Sequence, residues 1–174
     1  MVFDILIQGR RHASLRPIGQ QMSGFKIKVC WTRKTPDFAP QSYDRTHSVT
    51  MSGGFSYVAS AAPDFQGKAE LPNPEESLLA ALATCHMLTF LAIAANSKLV
   101  VDSYEDMCEA TLEKNENRKF FVKSILLRPK ITFGGDKMPD ILELKRLHDK
   151  AHANCIVANS IKSEVLVEPR VGDG

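Results

Sequence analysis

The chain has 174 residues, 44% hydrophobic and 24% charged, which suits one compact domain with a sizeable core. A formal net charge of +2 excludes the strongly basic surface of a nucleic-acid or acidic-membrane binder. Four cysteines (Cys30, Cys85, Cys108, Cys155) in a chain this long, without the long apolar segment of a secretory signal, argue against a disulfide-stapled extracellular scaffold.

Residues 1–21 hold Arg10, Arg11 and Arg16 against Asp4 alone, so this stretch supplies the whole net charge. Met22 is followed by Ser-Gly and a strand pattern. Residues 1–21 therefore read as an N-terminal extension to a domain over 22–174. Phe25, Ile27, Val29 and Trp31 alternate with Lys26, Lys28, Cys30 and Thr32, the pattern of a half-buried strand. A loop with Pro36 and Pro40 leads to a hairpin, His47–Met51 against Phe55–Ala59, turned at Ser52-Gly53-Gly54. A second polar loop runs from Pro63 to Pro72.

The central helix has an explicit start. Asn73 can cap it, Pro74 fits its first turn, and Glu76 completes a capping-box spacing. Ser77 to Ser97 carries no charge, and the helix should end near Asn96. So apolar a run, interrupted by Thr84, His86 and Thr89, reads as a helix buried on all sides in a soluble protein rather than a membrane span. Val100–Lys114 fits a helical face (Val101, Tyr104, Cys108, Leu112) and also one side of a strand. The Asn115-Glu116-Asn117 turn and the β-rich Phe120–Phe133 favour a hairpin.

Gly134-Gly135 breaks the chain. Pro139 is expected in the first turn of an amphipathic helix that buries Ile141, Leu144, His148 and Ala151, and Ser163–Val167 closes as a strand. The order βββ–α–ββ–α–β defines an α+β domain.

Asn73-Pro74-Glu75-Glu76 with the Ala-rich run to Cys85-His86-Met87-Leu88 resembles the first cysteine motif of the OsmC/Ohr family. Ala151-His152-Ala153-Asn154-Cys155 with Asn159 resembles its second motif. Tyr43-Asp44-Arg45-Thr46-His47, Gly53-Gly54 and Ala59-Ser60-Ala61-Ala62-Pro63 are similar to an OsmC-like subgroup. The resemblance spans about residues 22–170 and implies an OsmC-like fold in an intertwined homodimer with active sites at the subunit interface. It further implies a cytoplasmic thiol peroxidase, acting on organic hydroperoxides and recycled by an external dithiol such as a dihydrolipoyl group, with no cofactor. Carried over by motif, Cys85 is the peroxidatic cysteine, Cys155 the resolving one, Glu75 the motif glutamate and Arg45 the active-site arginine. Ile156 stands where many relatives have proline, and the arginine segment differs from the best-known branch.

Attack on a peroxide needs a thiolate and yields a sulfenic acid. Burial in an apolar helix raises a thiol's pKa, so Cys85 calls for a nearby cation, Arg45 first and Arg33 next. Glu75 lies ten positions before Cys85, about 15 Å along a straight helix, so the two cannot touch on one unbroken helix. Either the helix is broken, or Glu75 serves a partner subunit's site, or it merely favours the helix N-terminus. Cys155 reads either as the exposed start of a short helix capped by Asn154, or as a small core residue on the Leu144, His148, Ala151 face. Cys30 and Cys108 read as packing. A competing view is a non-catalytic module that binds a small ligand or a metal, the latter through His148, His152 and Cys155 with Cys85-His86. The absence of a paired-cysteine knuckle weighs against the metal.

Overall fold

A computed structural model describes residues 24–172, so the extension proposed for residues 1–21 lies outside the described residues. The chain runs β1 (Lys28–Cys30), β2 (His47–Thr50), β3 (Ser56–Ala59), α1 (Pro74–Asn96), β4 (Val100–Asp106), β5 (Glu109–Lys114), β6 (Phe120–Leu127), β7 (Pro129–Gly134), α2 (Ile141–Asn154), β8 (Glu164–Val167) and β9 (Arg170–Val171). This is the expected α+β order, with each of the long strands after α1 interrupted once and β9 added at the end.

Strands β1, β2 and β3 form an antiparallel sheet whose β2–β3 hairpin turns at Gly54, where φ is +86° and a side chain would be strained. The other six strands form two sheets, β4–β7–β9 and β5–β6–β8. Their pairing continues in one register across the interruption: Asp106 faces Pro129 and Glu109 faces Leu126. The proline has no N–H to give the ladder. Asp106 restores part of the pattern by accepting from the Arg128 N–H at 2.7 Å. Val100–Gly134 is thus one long antiparallel hairpin, and β8 and β9 run parallel to its second arm.

Helix α1 starts as its sequence dictates. The Asn73 side chain accepts from the Glu76 N–H at 2.8 Å, and the Asn73 N–H donates to the Glu76 carboxylate at 3.2 Å. Its burial departs from expectation. Leu82, His86, Phe90 and Ala94, one residue per turn, form the buried stripe, whereas the face carrying Ala81, Thr84, Leu88 and Ala92 is exposed within one chain. The expected all-round burial is therefore not supplied by this chain's own elements.

Helix α2 begins at Ile141, two residues after the proline expected in its first turn. Asp140 is the cap, accepting from the Glu143 N–H at 2.7 Å, and Pro139 stands outside the helix. Leu144, Leu147, His148 and Ala151 are buried, but Ile141 in the first turn is exposed. Two clusters make the core. Phe90, Ala94, Leu99, Ile131, Phe133, Leu144 and Leu147 seal α1 and α2 onto the β4–β7 sheet. Leu82, Ile125, Leu127 and Cys155 form the second, with Cys85 and Cys108 against it. Strand β1 is shorter and more open than its alternation implies: Phe25, Ile27, Val29 and Trp31 are all exposed.

Candidate active site

Cys85 sits midway along α1 and Cys155 caps the C-terminal end of α2, where the backbone leaves helical geometry for φ −73° and ψ 116°. The packing of α1 against α2 brings their sulfurs to 2.9 Å. Cys155 does not begin a new helix and is not exposed: its side chain is fully buried on the Leu144, His148, Ala151 side of α2. The core position and the thiol pair are the same place. Asn159 ties the following turn down by donating from Nδ2 to the carbonyls of Cys155 at 2.9 Å and Ala153 at 3.0 Å.

The two thiols titrate in opposite senses. Burial pushes Cys85 upward, but the thiol of Cys155 and the N–H groups of Val157 and Ile156 donate toward its sulfur and, with the Thr89 hydroxyl nearby, bring its pKa below the ordinary thiol value. The hydrogen of that hydroxyl goes to the Cys85 carbonyl at 2.8 Å. Burial first, and then its bond to Cys85, hold Cys155 above that value, against the N–H of Ala158 at 3.4 Å. Neutral donors within the chain thus act on Cys85 in the same direction as the cation expected from the sequence. The backbone donors of Ile156 and Val157 have no side-chain signature, and the only hint of them is their place directly after Cys155.

Arg45 and Glu75 lie elsewhere in the chain. The Arg45 guanidinium donates to the carbonyls of Pro40 at 2.7 Å and Tyr43 at 3.0 Å, with its carbon 4.1 Å from the Tyr43 ring centroid. It borders a cavity of 340 Å³ whose walls include Trp31, Phe38, Tyr43, His47 and Pro74. Glu75 follows Pro74 at the start of α1, and its Oε2 is buried with no hydrogen-bond partner among the described residues. Arg33, the second candidate cation, is exposed and donates to the carbonyls of Thr35 and Pro36 in its own loop. Among the described residues no bond joins Arg45, Arg33 or Glu75 to Cys85.

The remaining cysteines divide. Cys108 is pushed up to about 12 by burial and by the neighbouring Asp106 carboxylate, which makes it an inert thiol. Cys30 is exposed on β1 and does not pack in the core, contrary to expectation. The metal arrangement is also not formed: Nδ1 of His148 lies 2.9 Å from Nε2 of His86, and among the described residues no three His, Cys, Asp or Glu side chains are placed to hold a metal ion. Sequence reasoning placed His148 on the buried stripe but missed its pairing with His86.

Residues 67–170 match the family model described as OsmC-like protein. A relative in Bacillus subtilis (strain 168), uncharacterized protein YmaD, is 29% identical over 118 residues, covering 67% of this chain and 78% of that one. An OsmC-like protein of unknown function from Vibrio cholerae superposes with a TM-score of 0.81 at 38% identity, over 85% of this chain and 99% of the other. An organic hydroperoxide resistance protein from Elizabethkingia anophelis shares the fold, with a TM-score of 0.67 at 16% identity over 88% of this chain and 99% of the other.

Proposed function

Because the chain belongs to the OsmC-like protein family, we propose that it is a thiol peroxidase that reduces organic hydroperoxides to alcohols. The observation that carries this reading is the 2.9 Å contact between Cys85 and Cys155, with the first thiol acidified and the second not. The Cys85 thiolate attacks the terminal peroxide oxygen. An S–O bond forms, the O–O bond breaks, and the alkoxide leaves as alcohol after taking a proton, so that Cys85 becomes a sulfenic acid. Cys155, kept protonated until then, attacks that sulfur, and water leaves as the disulfide forms. An external dithiol, with a dihydrolipoyl group the favoured class, returns two electrons and two protons.

The same reading makes the protein a cytoplasmic homodimer in which Arg45 and Glu75 serve the partner subunit's thiol pair. Three features support it. Glu75 stands about 15 Å from Cys85 along an unbroken α1. Among the described residues its buried carboxylate oxygen has no donor, and Arg45 engages two carbonyls with the rest of its fork open. The bare apolar faces of α1 and β1 offer the surface for a second copy.

The test is steady-state consumption of hydrogen peroxide, tert-butyl, cumene and fatty-acid hydroperoxides, with dihydrolipoamide, thioredoxin or glutathione as reductant. Turnover of an organic hydroperoxide that vanishes in Cys85→Ser is expected. A pure wild-type protein inert to the whole panel with every reductant overturns the reading.

A further inference from the structure

The helices that carry the two thiols are joined by a buried pair of histidines. His86 follows Cys85 on α1, and His148 lies roughly two turns before Cys155 on α2. His86 Nε2 and His148 Nδ1 are 2.9 Å apart, and the rings meet edge to edge with centroids 5.2 Å apart and planes 9° from parallel. Phe90 stacks on the His148 ring with centroids 4.2 Å apart. Both histidines are enclosed. One ring nitrogen must donate and the other accept, so at least one imidazole in the pair is neutral. Burial holds both well below the ordinary value of 6.5, at about 4 for His86 and about 3 for His148.

The apolar core that also joins α1 to α2, including Phe90, Ala94, Leu144 and Leu147, is non-directional and permits small rotations and slides. A hydrogen bond between dry, nearly coplanar rings favours one arrangement. We propose that the His86–His148 bond is a positioning clamp that fixes α1 against α2 and so sets the approach of the Cys85 and Cys155 sulfurs. Its action rests on the thiol-pair reading above. A disulfide needs the sulfurs to close from 2.9 Å to about 2.05 Å, a short remaining path. Misplacement of reacting groups by about 1 Å can cost two orders of magnitude in effective concentration. Neither histidine touches peroxide in this scheme. They act through the thiols, whose disulfide becomes easier to reduce when the clamp is lost.

The experiment measures the disulfide equilibrium without peroxide. Wild type, His148→Asn, His148→Leu and the double variant His86→Leu/His148→Leu are equilibrated with oxidised and reduced dithiothreitol, and the Cys85–Cys155 disulfide is quantified by alkylation and mass spectrometry. In the exchange the two protein thiols give two electrons and two protons to the oxidised reagent, which becomes the dithiol. Asparagine can place a polar atom where Nδ1 stood, so His148→Asn should stay within about twofold of wild type. His148→Leu and the double variant should each lose about tenfold in the equilibrium constant, about 30 mV in potential. The double variant leaves no unpaired histidine in the core, so it separates lost positioning from lost stability and stands in if His148→Leu does not fold. Wild-type equilibria in the leucine variants, or an Asn variant as impaired as the leucine ones, overturn the clamp. A wild-type disulfide that depends on the clamp in a protein inert to every hydroperoxide sinks the peroxidase reading and leaves the clamp standing.

Discussion

Cys155 donates its thiol hydrogen to the sulfur of Cys85 across 2.9 Å, although seventy positions separate the two in the chain. The bond is asymmetric in its effect, lowering the pKa of Cys85 and raising that of Cys155. Cys155→Ala should therefore raise the Cys85 pKa, and Cys85→Ala should lower that of Cys155. Iodoacetamide alkylation rates against pH check both signs. An unchanged Cys85 profile in Cys155→Ala would show that the backbone donors of Ile156 and Val157 carry the acidification alone.

The buried histidines make stability depend on acidity. In the folded state both titrate below their ordinary value of 6.5, at about 4 for His86 and about 3 for His148, because burial disfavours the charged form and His152 beside His86 adds repulsion. Tyr104, in ring contact with His148, stays a neutral phenol because burial first, and then Asp106 and Cys108, push its pKa up. Below pH 6.5 the unfolded chain takes up protons that the folded chain refuses. The stability is complete above 6.5 and is lost as pH falls through the folded values. With two such groups the slope approaches about 2.7 kcal/mol per pH unit near pH 5. Urea midpoints at pH 7.5, 6 and 5 should fall in wild type and fall less in His86→Leu/His148→Leu. Parallel curves for the two proteins would contradict this.

Arg45 and Glu75 should act as one unit. Arg45→Met and Glu75→Gln are each expected to lower the rate of the peroxide step by one to two orders of magnitude, and the double variant should be little worse than either. Arg45→Lys should recover part of the rate, since a point charge cannot reproduce the planar fork. Stopped-flow oxidation of the four variants reads this directly. Fully additive losses would mean the two side chains serve different ends.

Leu88 is 62% exposed on the bare face of α1. A charge placed there costs little in an isolated chain and is severe in an apolar subunit contact. Leu88→Glu should abolish self-association in light scattering while leaving the circular dichroism of the fold intact. A Leu88→Glu protein that associates like wild type would place the subunit contact elsewhere.

Much of this was legible in local pattern. Asn73-Pro74 with Glu76 marks the start of α1 to the residue, because each group satisfies a backbone donor or does without one. The β-rich run Phe120–Phe133 and the glycines near 53–54 and 134–135 also mark their elements. Pro139 misled because proline fits both a first turn and the loop before a cap, and Asp140 is the better cap. The interruption of the long hairpin at Arg128-Pro129 lies in a missing N–H that periodicity does not register. The His86–His148 bond joins residues sixty-two positions apart and leaves no trace in either helix alone. Exposure of Leu88 and Phe25 was invisible for the opposite reason, since apolar residues read as buried whether their own chain or another covers them.

The most direct test of the central claim is a single turnover of Cys155→Ser with one equivalent of cumene hydroperoxide, followed by mass spectrometry and dimedone trapping. The account predicts consumption of about one equivalent, one added oxygen on Cys85 and a trapped sulfenic acid, where wild type under the same conditions forms the Cys85–Cys155 disulfide. An unmodified Cys85, with the peroxide untouched or its oxygen on another residue, would contradict it.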